Sequence, residues 1–369
     1  MDDRQARVVE KLLAWYRVER RDLPWRRTRD PYAILVAEVV LQRTRIKAGL
    51  PYYERFLARF PTVHALAEAS EAKVLREWEG LGFYSRARKL HEAARAIVAH
   101  HGGAIPADFA ALRSLPGVGP YTAGALGSIA FGLRVPAVDG NARRVLSRLF
   151  WSRLKIRAAA LDPLAHDLVP PDAPGDWNQA VMDLGATICI PRRPRCGVCP
   201  VSAECDAFTA GVQAHVPPRA AATHVPTRKV MFAIIEERGR VLLARRPPRG
   251  LLAGLWSLPG GEAASGAELR GLVREQTGLD VSVLETVAKV RHVFSHLRWS
   301  GRIARAQVRG GRTEGAQWFP REELGSIAMV PFHRRALVQA SPSWIAPLDS
   351  QRRKSRKESN LLGPEAPPG

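Results

Sequence analysis

Apolar positions in the first 205 residues recur at helical spacing. Val9, Leu12, Leu13 and Tyr16 fall at i, i+3, i+4 and i+7, one face of a helix, and Tyr53, Phe56, Leu57 and Phe60 repeat the stripe. Asp30 followed by Pro31 reads as an N-cap with proline at the first helical position, opening a helix through about Arg45. Ser70 and Ser85 read as N-caps of two further helices, the second stopped by Gly102-Gly103. Residues 206–228, with the proline-rich stretch AHVPPRAAATHVPTRK, lack apolar periodicity and read as a linker. Beyond it the texture changes. KVMFAIIEE and RVLLARR are short apolar runs joined by ERG, a β-hairpin pattern, residues 266–277 look helical, and 280–294 and 302–308 look like strands. The pattern therefore predicts a multidomain protein: an all-α region at 1–205, the linker, an α+β region at 229–345, and a disordered tail at 346–369 holding RRKSRK and GPEAPPG. No internal repeat interrupts this plan.

Composition narrows the partners. The 369 residues carry 56 Lys+Arg against 35 Asp+Glu, a formal charge of +21, and the pI is about 10.8. Solubility of a small domain needs a net charge of only about 2–8, so the excess points to a polyanion, with nucleic acid the first choice. A hydrophobic fraction of 46% with 25% charged residues excludes disorder as the main state. No run of about 18 uncharged apolar residues exists, so no membrane span is expected. The opening MDDRQARVVEKLLAWYRVER is too charged for a signal peptide, which places the expected location in the cytoplasm, at the nucleoid if the source is bacterial.

Four local patterns carry chemistry. The four cysteines, Cys189, Cys196, Cys199 and Cys205, fall in a C-x6-C-x2-C-x5-C loop, and every other position avoids Cys. Four soft thiolates from one short loop suit either a [4Fe–4S] cluster or tetrahedral zinc, and spacing alone does not separate them. The basic PRRPR inside this loop sits where it could meet phosphates. Leu115-Pro-Gly-Val-Gly119 precedes the small-residue run YTAGALGSIAF, a helix–hairpin–helix turn. Gly117, Val118 and Gly119 would bring backbone N–H groups to one DNA phosphate at a helix N-terminus. Asp139 lies just before a helix with Asn141 beside it, either a simple cap or a carboxylate for a cationic sugar carbon. Glu38 is the one charge in AILVAEVVLQ, flanked at helical spacing by Ile34, Leu35 and Leu41. Burial there would raise its pKa and make it a general acid at neutral pH, unless it pairs with a cation such as Arg45.

LPWRRTRDPYAILVAEVVLQRT, GLGFYSRARKL, LPGVGPYTAGA, VDGNARRVL, NQAVMDLGATIC and the cysteine loop together resemble the helix–hairpin–helix endonuclease III superfamily of DNA glycosylases. Within it the chain is most similar to the adenine DNA glycosylases of the MutY type, over roughly residues 5–340. The resemblance implies a six-helix barrel, a [4Fe–4S] cluster on Cys189, Cys196, Cys199 and Cys205, and excision of adenine paired with 8-oxoguanine or guanine in double-stranded DNA by a monomer. It puts the general acid on Glu38 and the sugar-side carboxylate on Asp139, supported by Asn141. Tyr121 stands where lyase relatives carry a Schiff-base lysine, so lyase chemistry should be absent or weak. Trp25, Arg26, Leu41 and Gln179 map to the adenine pocket, and Gln42, Arg43, Leu81 and Phe83 to the residues that fill the gap left by the flipped base.

The C-terminal half resembles the Nudix-like recognition domain of the same family, with Phe294-Ser295-His296 as the loop that reads 8-oxoguanine. In GLVREQTGL only Glu275 remains of the acidic set a Nudix hydrolase uses for Mg²⁺, so nucleotide hydrolysis is not expected. Two departures bear on specificity. Arg43 replaces the second Gln of the family's Leu-Gln-Gln-Thr, offering donors but no acceptor, and Phe83 replaces a tyrosine. Arg43-Thr44 with RRTRDPY also matches the T/G-mismatch thymine glycosylases, the alternative enzyme reading, although these typically lack the C-terminal domain. A DNA-binding redox sensor without catalysis is the non-enzymatic alternative, opposed by retention of Glu38 and Asp139.

Overall fold

The computed structural model describes residues 1–154, 158–218 and 224–340; the tail expected at 346–369 lies outside them. The chain divides into two compact units, Met1–Ala69 with Ser85–Ala222, and Ser70–Tyr84 with Thr223–Gly369.

The first unit is helical. Its first helix, Asp3–Glu19, opens with a reciprocal capping box between Asp2 and Gln5 and buries Val8, Val9, Leu12, Leu13 and Tyr16, the face the periodicity marks. Each fully buried aliphatic side chain of this kind is worth about 1.5–3 kcal/mol. Helix Pro31–Leu41, capped by Asp30 at the Tyr32 N–H, is buried from Tyr32 to Val40. It stops four residues short of the expected Arg45. The Arg86 guanidinium collects the carbonyls of Val39, Val40 and Gln42 that a longer helix would use internally. Arg43 turns the chain at φ 58°, and a new helix runs Ile46–Arg59 with Arg45 as its cap. Helix Tyr84–His101 begins one residue before the expected cap Ser85 and ends at Gly102 and Gly103, both in the left-handed region.

Small residues in helix Pro120–Phe131 have a packing reason. A Cβ on Gly124 would lie 2.0 Å from the Pro136 carbonyl oxygen, and Ser128 crowds Gly175 of helix Pro174–Thr187. Asn178 then pins the returning loop: its side chain accepts from the Ala137 N–H at 2.9 Å and donates to the Val135 carbonyl at 2.9 Å. That loop delivers Asp139 to the start of helix Gly140–Leu149. The core joins Val8 and Leu12 to Leu146, Leu164, Trp177 and Leu184, with Cys189, Cys199 and Cys205 packed on its edge. The stretch read as linker begins with a helical turn, Asp206–Thr209, whose Asp206 pairs with Arg4 at 2.7 Å.

Among the described residues the second unit holds seven strands: β1 Thr227–Glu237, β2 Arg240–Arg245, β3 Trp256–Ser257, β4 Gly260–Glu262, β5 Leu279–Val293, β6 Arg298–Gly311 and β7 Ala316–Pro320. The main order is β3-β2-β1-β6-β5, with β4 on β1 and β7 on β2. The expected hairpin pairs Glu237 with Arg240 across Arg238-Gly239, both at positive φ, the turn whose twist suits a two-residue hairpin. β1 and β6 run parallel. Helix Gly266–Thr277 covers the sheet, capped by the Ser265 hydroxyl at the Glu268 N–H, and is ended by Gly278 at φ 70°. Residues 70–84, which the sequence reading places inside the helical domain, group with this unit.

Candidate active site and nucleic-acid interface

In the first unit, the buried helix Pro31–Leu41 carries Glu38, the loop after helix Pro120–Phe131 brings Asp139, and the first turn of that helix brings Tyr121. Burial pushes the Glu38 carboxyl up to about 7; a hydrogen bond with Tyr121 and the Arg26 charge pull against this, and Asp139 adds to it. Burial and the Glu38 charge hold the Tyr121 phenol well above its ordinary range, so it remains a donor at neutral pH. Its hydroxyl also reaches Met182 Sδ at 3.4 Å. Glu38 makes no pair with the exposed Arg45 among the described residues.

Asp139 both caps a helix and keeps a second contact. One oxygen accepts from the Ala142 N–H at 2.7 Å and the other from Asn141 Nδ2 at 2.9 Å. Capping and chemistry are therefore compatible roles of one residue. Asn141 Oδ1 accepts from Arg144, which also donates to the carbonyls of Gly185 and Cys189, at 2.7 and 2.8 Å. Gly185 permits this approach, since a Cβ there would sit 2.7 Å from Asn141 Cβ.

The residues mapped to the adenine pocket differ in what they present. Arg26 forms a two-pronged pair with Asp183 at 2.6 and 2.7 Å, and Arg21 joins it. Burial would raise the Asp183 carboxyl, but the two arginines outweigh this and hold it low. The buried Nε of Arg26 has no acceptor among the described residues. Trp25 is buried edge-on against Tyr53 at 5.2 Å, so it serves the core. Gln179 is buried and donates to the Gly175 carbonyl at 3.2 Å; Leu41 is half-buried. Asp183 was missed. Its signal was the same as that of Glu38, a lone acid in an apolar helical run.

At the hairpin, Gly117 lies at φ 76°, and a Cβ there would fall 2.5 Å from Lys89 Cβ. Gly119 is extended, at φ −82°, and serves as the N-cap of helix Pro120–Phe131. The Val118 N–H closes the turn onto Leu115 O at 3.1 Å and is spent there. The anion-binding donors of this turn are thus narrowed to its other N–H groups and the first helical turn. Gln42 donates to Thr122 Oγ1 at 3.1 Å, and Arg43 is exposed.

Cys189, Cys196, Cys199 and Cys205 border one cavity with Val145 and Leu184. All are free thiols. Burial pushes the Cys199 thiol up to about 12, and the other cysteines add to it. Arg148 donates to Cys189 Sγ at 3.3 Å and to the carbonyls of Ile190 and Pro191. Among the described residues no three such ligands converge closely enough to hold one ion. The four sulfurs face one apolar cavity and are the donors it offers.

In the second unit, Phe294, Ser295 and His296 form the loop between β5 and β6, closed by the Phe294 N–H on Leu297 O at 2.8 Å. Ser295 and His296 are exposed, while Phe294 packs on His292 and Trp299 at 4.4 and 5.1 Å. Leu81 is half-buried and Phe83 exposed at 42%, at φ 49°. Gln276, next to Glu275, clasps Gly260 through both its N–H and its carbonyl, at 2.9 and 3.1 Å. Glu268 is committed to its helix cap.

Known proteins resemble both units. Residues 36–171 match the HhH-GPD superfamily base excision DNA repair protein, and 230–339 match a NUDIX domain. The adenine DNA glycosylase of Rattus norvegicus is 36% identical over 95% of this chain and 83% of that protein. The human adenine DNA glycosylase is 35% identical over 86% and 71%. A thermostable thymine-DNA glycosylase structure is 34% identical with a TM-score of 0.53, over 56% of this chain and 97% of that one. An endonuclease III–DNA complex, at 21% identity and TM-score 0.50, covers 58% of this chain and 100% of that one and shares the fold.

Proposed function

The chain belongs to the adenine DNA glycosylases, and we propose that it excises adenine opposite 8-oxoguanine or guanine as a monomer, through Glu38 and Asp139 and without strong lyase activity. The observation that carries this reading is the buried Glu38, protonatable at neutral pH, with the hydrogen-bonded carboxylate Asp139 acting on it. Adenine leaves poorly as an anion. Glu38 gives its proton to adenine N7, so the base departs neutral. The sugar then gains oxocarbenium character, which Asp139 stabilises, Asn141 holding its second oxygen. Tyr121 donates to Glu38 and has no amine with which to trap the opened sugar. The unpartnered Arg26 Nε offers a donor to an acceptor of the flipped base.

Lesion preference is assigned to Ser295 and His296, the exposed polar groups of the Phe294 loop. Gln276 and Glu268, both spent on backbone, leave the Nudix-like helix without an oxygen set for Mg²⁺. The four cysteines fit a [4Fe–4S] cluster, which when bound cross-links the loop 189–205. Iron and acid-labile sulfide in the purified protein support that assignment; stoichiometric zinc without iron rejects it. The thymine alternative rests on similarity to little more than half of the chain, whereas the rat adenine enzyme aligns over 95% of it. Glu38→Gln and Asp139→Asn test the chemistry: both should bind an 8-oxoguanine:adenine duplex and release no free adenine at the wild-type rate. Normal release by either variant removes that residue from the mechanism.

A further inference from the structure

Glu79 and Arg334, both in the second unit, form a buried ion pair, exposed at 2% and 8%. Arg334 Nε and Nη2 meet the two Glu79 oxygens at 2.6 and 2.9 Å, a two-pronged contact. The rest of the guanidinium takes the carbonyls of Leu324 and Ile327. Arg76 joins at 3.1 Å to Glu79 and 2.8 Å to the Gly325 carbonyl. Stability alone gives little reason for such a cluster, because well-packed apolar groups serve a core as well or better. What the cluster supplies is direction: all three guanidinium nitrogens of Arg334 have fixed acceptors.

The residue after Glu79 opens the loop Gly80-Leu81-Gly82-Phe83. Gly80, Gly82 and Phe83 all have positive φ, at 96°, 78° and 49°. The loop is braced from both sides. Trp78 Nε1 donates to Gly82 O at 3.0 Å, and the Gly80 N–H donates to the Tyr84 hydroxyl at 3.3 Å. A left-handed phenylalanine at the tip of such a loop is strained and must be held by its surroundings. The helix that clamps Glu79 through Arg334, Pro331–Ala340, also carries Phe332, which packs on His292 and Trp299 at 5.2 and 5.6 Å. Those two rings carry Phe294 of the exposed Ser295-His296 loop. One ten-residue helix thus anchors both elements.

We propose that Glu79 and Arg334 are positioning residues that make the Leu81–Phe83 loop part of the lesion-reading unit, so that the C-terminal domain selects its substrate partly by where it aims this wedge. The inference rests on the reading of duplex excision above. The pair touches no substrate and acts through Phe83.

A double-mutant cycle in the full-length protein tests it: Arg334→Met, Phe83→Ala and the double variant, with Glu79→Gln as a second clamp variant that keeps the side-chain shape. The readouts are single-turnover adenine release from 8-oxoguanine:adenine and guanine:adenine duplexes, and the fluorescence rise of a 2-aminopurine placed beside the mispair, which reports unstacking. The clamp variants should lose about tenfold of the preference for 8-oxoguanine and most of the fluorescence rise. Phe83→Ala should add little further in the Arg334→Met background, because both act on one step. Multiplicative effects, or an unchanged preference in a variant that unfolds cooperatively, overturn the inference. If Arg334→Met does not fold, the same cycle on Glu79→Gln decides. A wild-type protein that releases no adenine overturns the functional reading instead, a result distinct from an additive cycle.

Discussion

At the scale of the residue, the account turns on one proton. Glu38 was legible because a lone acid in an apolar helical run has no cheap explanation, and the fold buries it as expected. Its rate contribution belongs to the protonated form, so single-turnover adenine release should fall as pH rises through about 7. A rate flat from pH 6 to 9 would contradict this. Stability has the matching sign. The folded protein binds this proton more tightly than the unfolded chain, with the carboxyl moved from 4.5 to about 7. Glu38 therefore costs stability progressively as pH rises from about 4.5 to about 7. Glu38→Gln should be more stable than wild type by up to about 3 kcal/mol above pH 7, and equal to it below pH 4.5; urea titrations at pH 4 and 8 measure the difference. The partner network was less legible. Asp183 shows the same lone-acid signal as Glu38, but its pairing with Arg26, 157 positions away, and the bonds of Arg144 to backbone carbonyls leave no periodic trace in the sequence.

At the scale of the element, helices and strands followed from caps and periodicity, while their ends followed from distant groups. Helix Pro31–Leu41 ends where Arg86 takes its carbonyls, which no local rule reveals. The hairpin was legible from its glycines, though only Gly117 needs the left-handed region. Gly117→Ala should cost about 1–3 kcal/mol, because the new Cβ meets the fixed Cβ of Lys89 and the backbone is strained, and it should weaken binding to undamaged duplex as well. Unchanged melting and binding would remove the hairpin from the interface. In the Nudix-like helix, Gln276→Ala should lower stability by about 1–3 kcal/mol through loss of both hydrogen bonds to Gly260, and nucleotide hydrolysis should be absent before and after. The grouping of residues 70–84 with the C-terminal strands was not legible. Their apolar pattern marks a helix, and a pattern does not say which core the helix joins.

At the scale of the whole molecule, the charge of +21 favours a polyanion, and the number of phosphates its Lys and Arg neutralise sets the sensitivity to salt. Arg192 and Arg193, exposed in the cysteine loop, are candidates for phosphate contact. Replacing either with Ala should reduce the slope of log affinity against log salt by about 0.9, while lesion preference stays unchanged; an unaltered slope would assign these charges to solubility. Fold class and the division into a helical and an α+β part were readable from the change in hydrophobic period near residue 228. In the proposed function substrate choice draws on both parts, and Arg43 is the residue at which the adenine and thymine readings differ. The measurement that bears on it most directly is single-turnover cleavage of duplexes holding 8-oxoguanine:adenine, guanine:adenine and guanine:thymine, each with and without alkali. Alkali-dependent scission of the adenine strand, fastest opposite 8-oxoguanine, is the predicted result. Scission of the thymine strand in guanine:thymine would contradict it, and would mean that Arg43 and its neighbours define a thymine pocket.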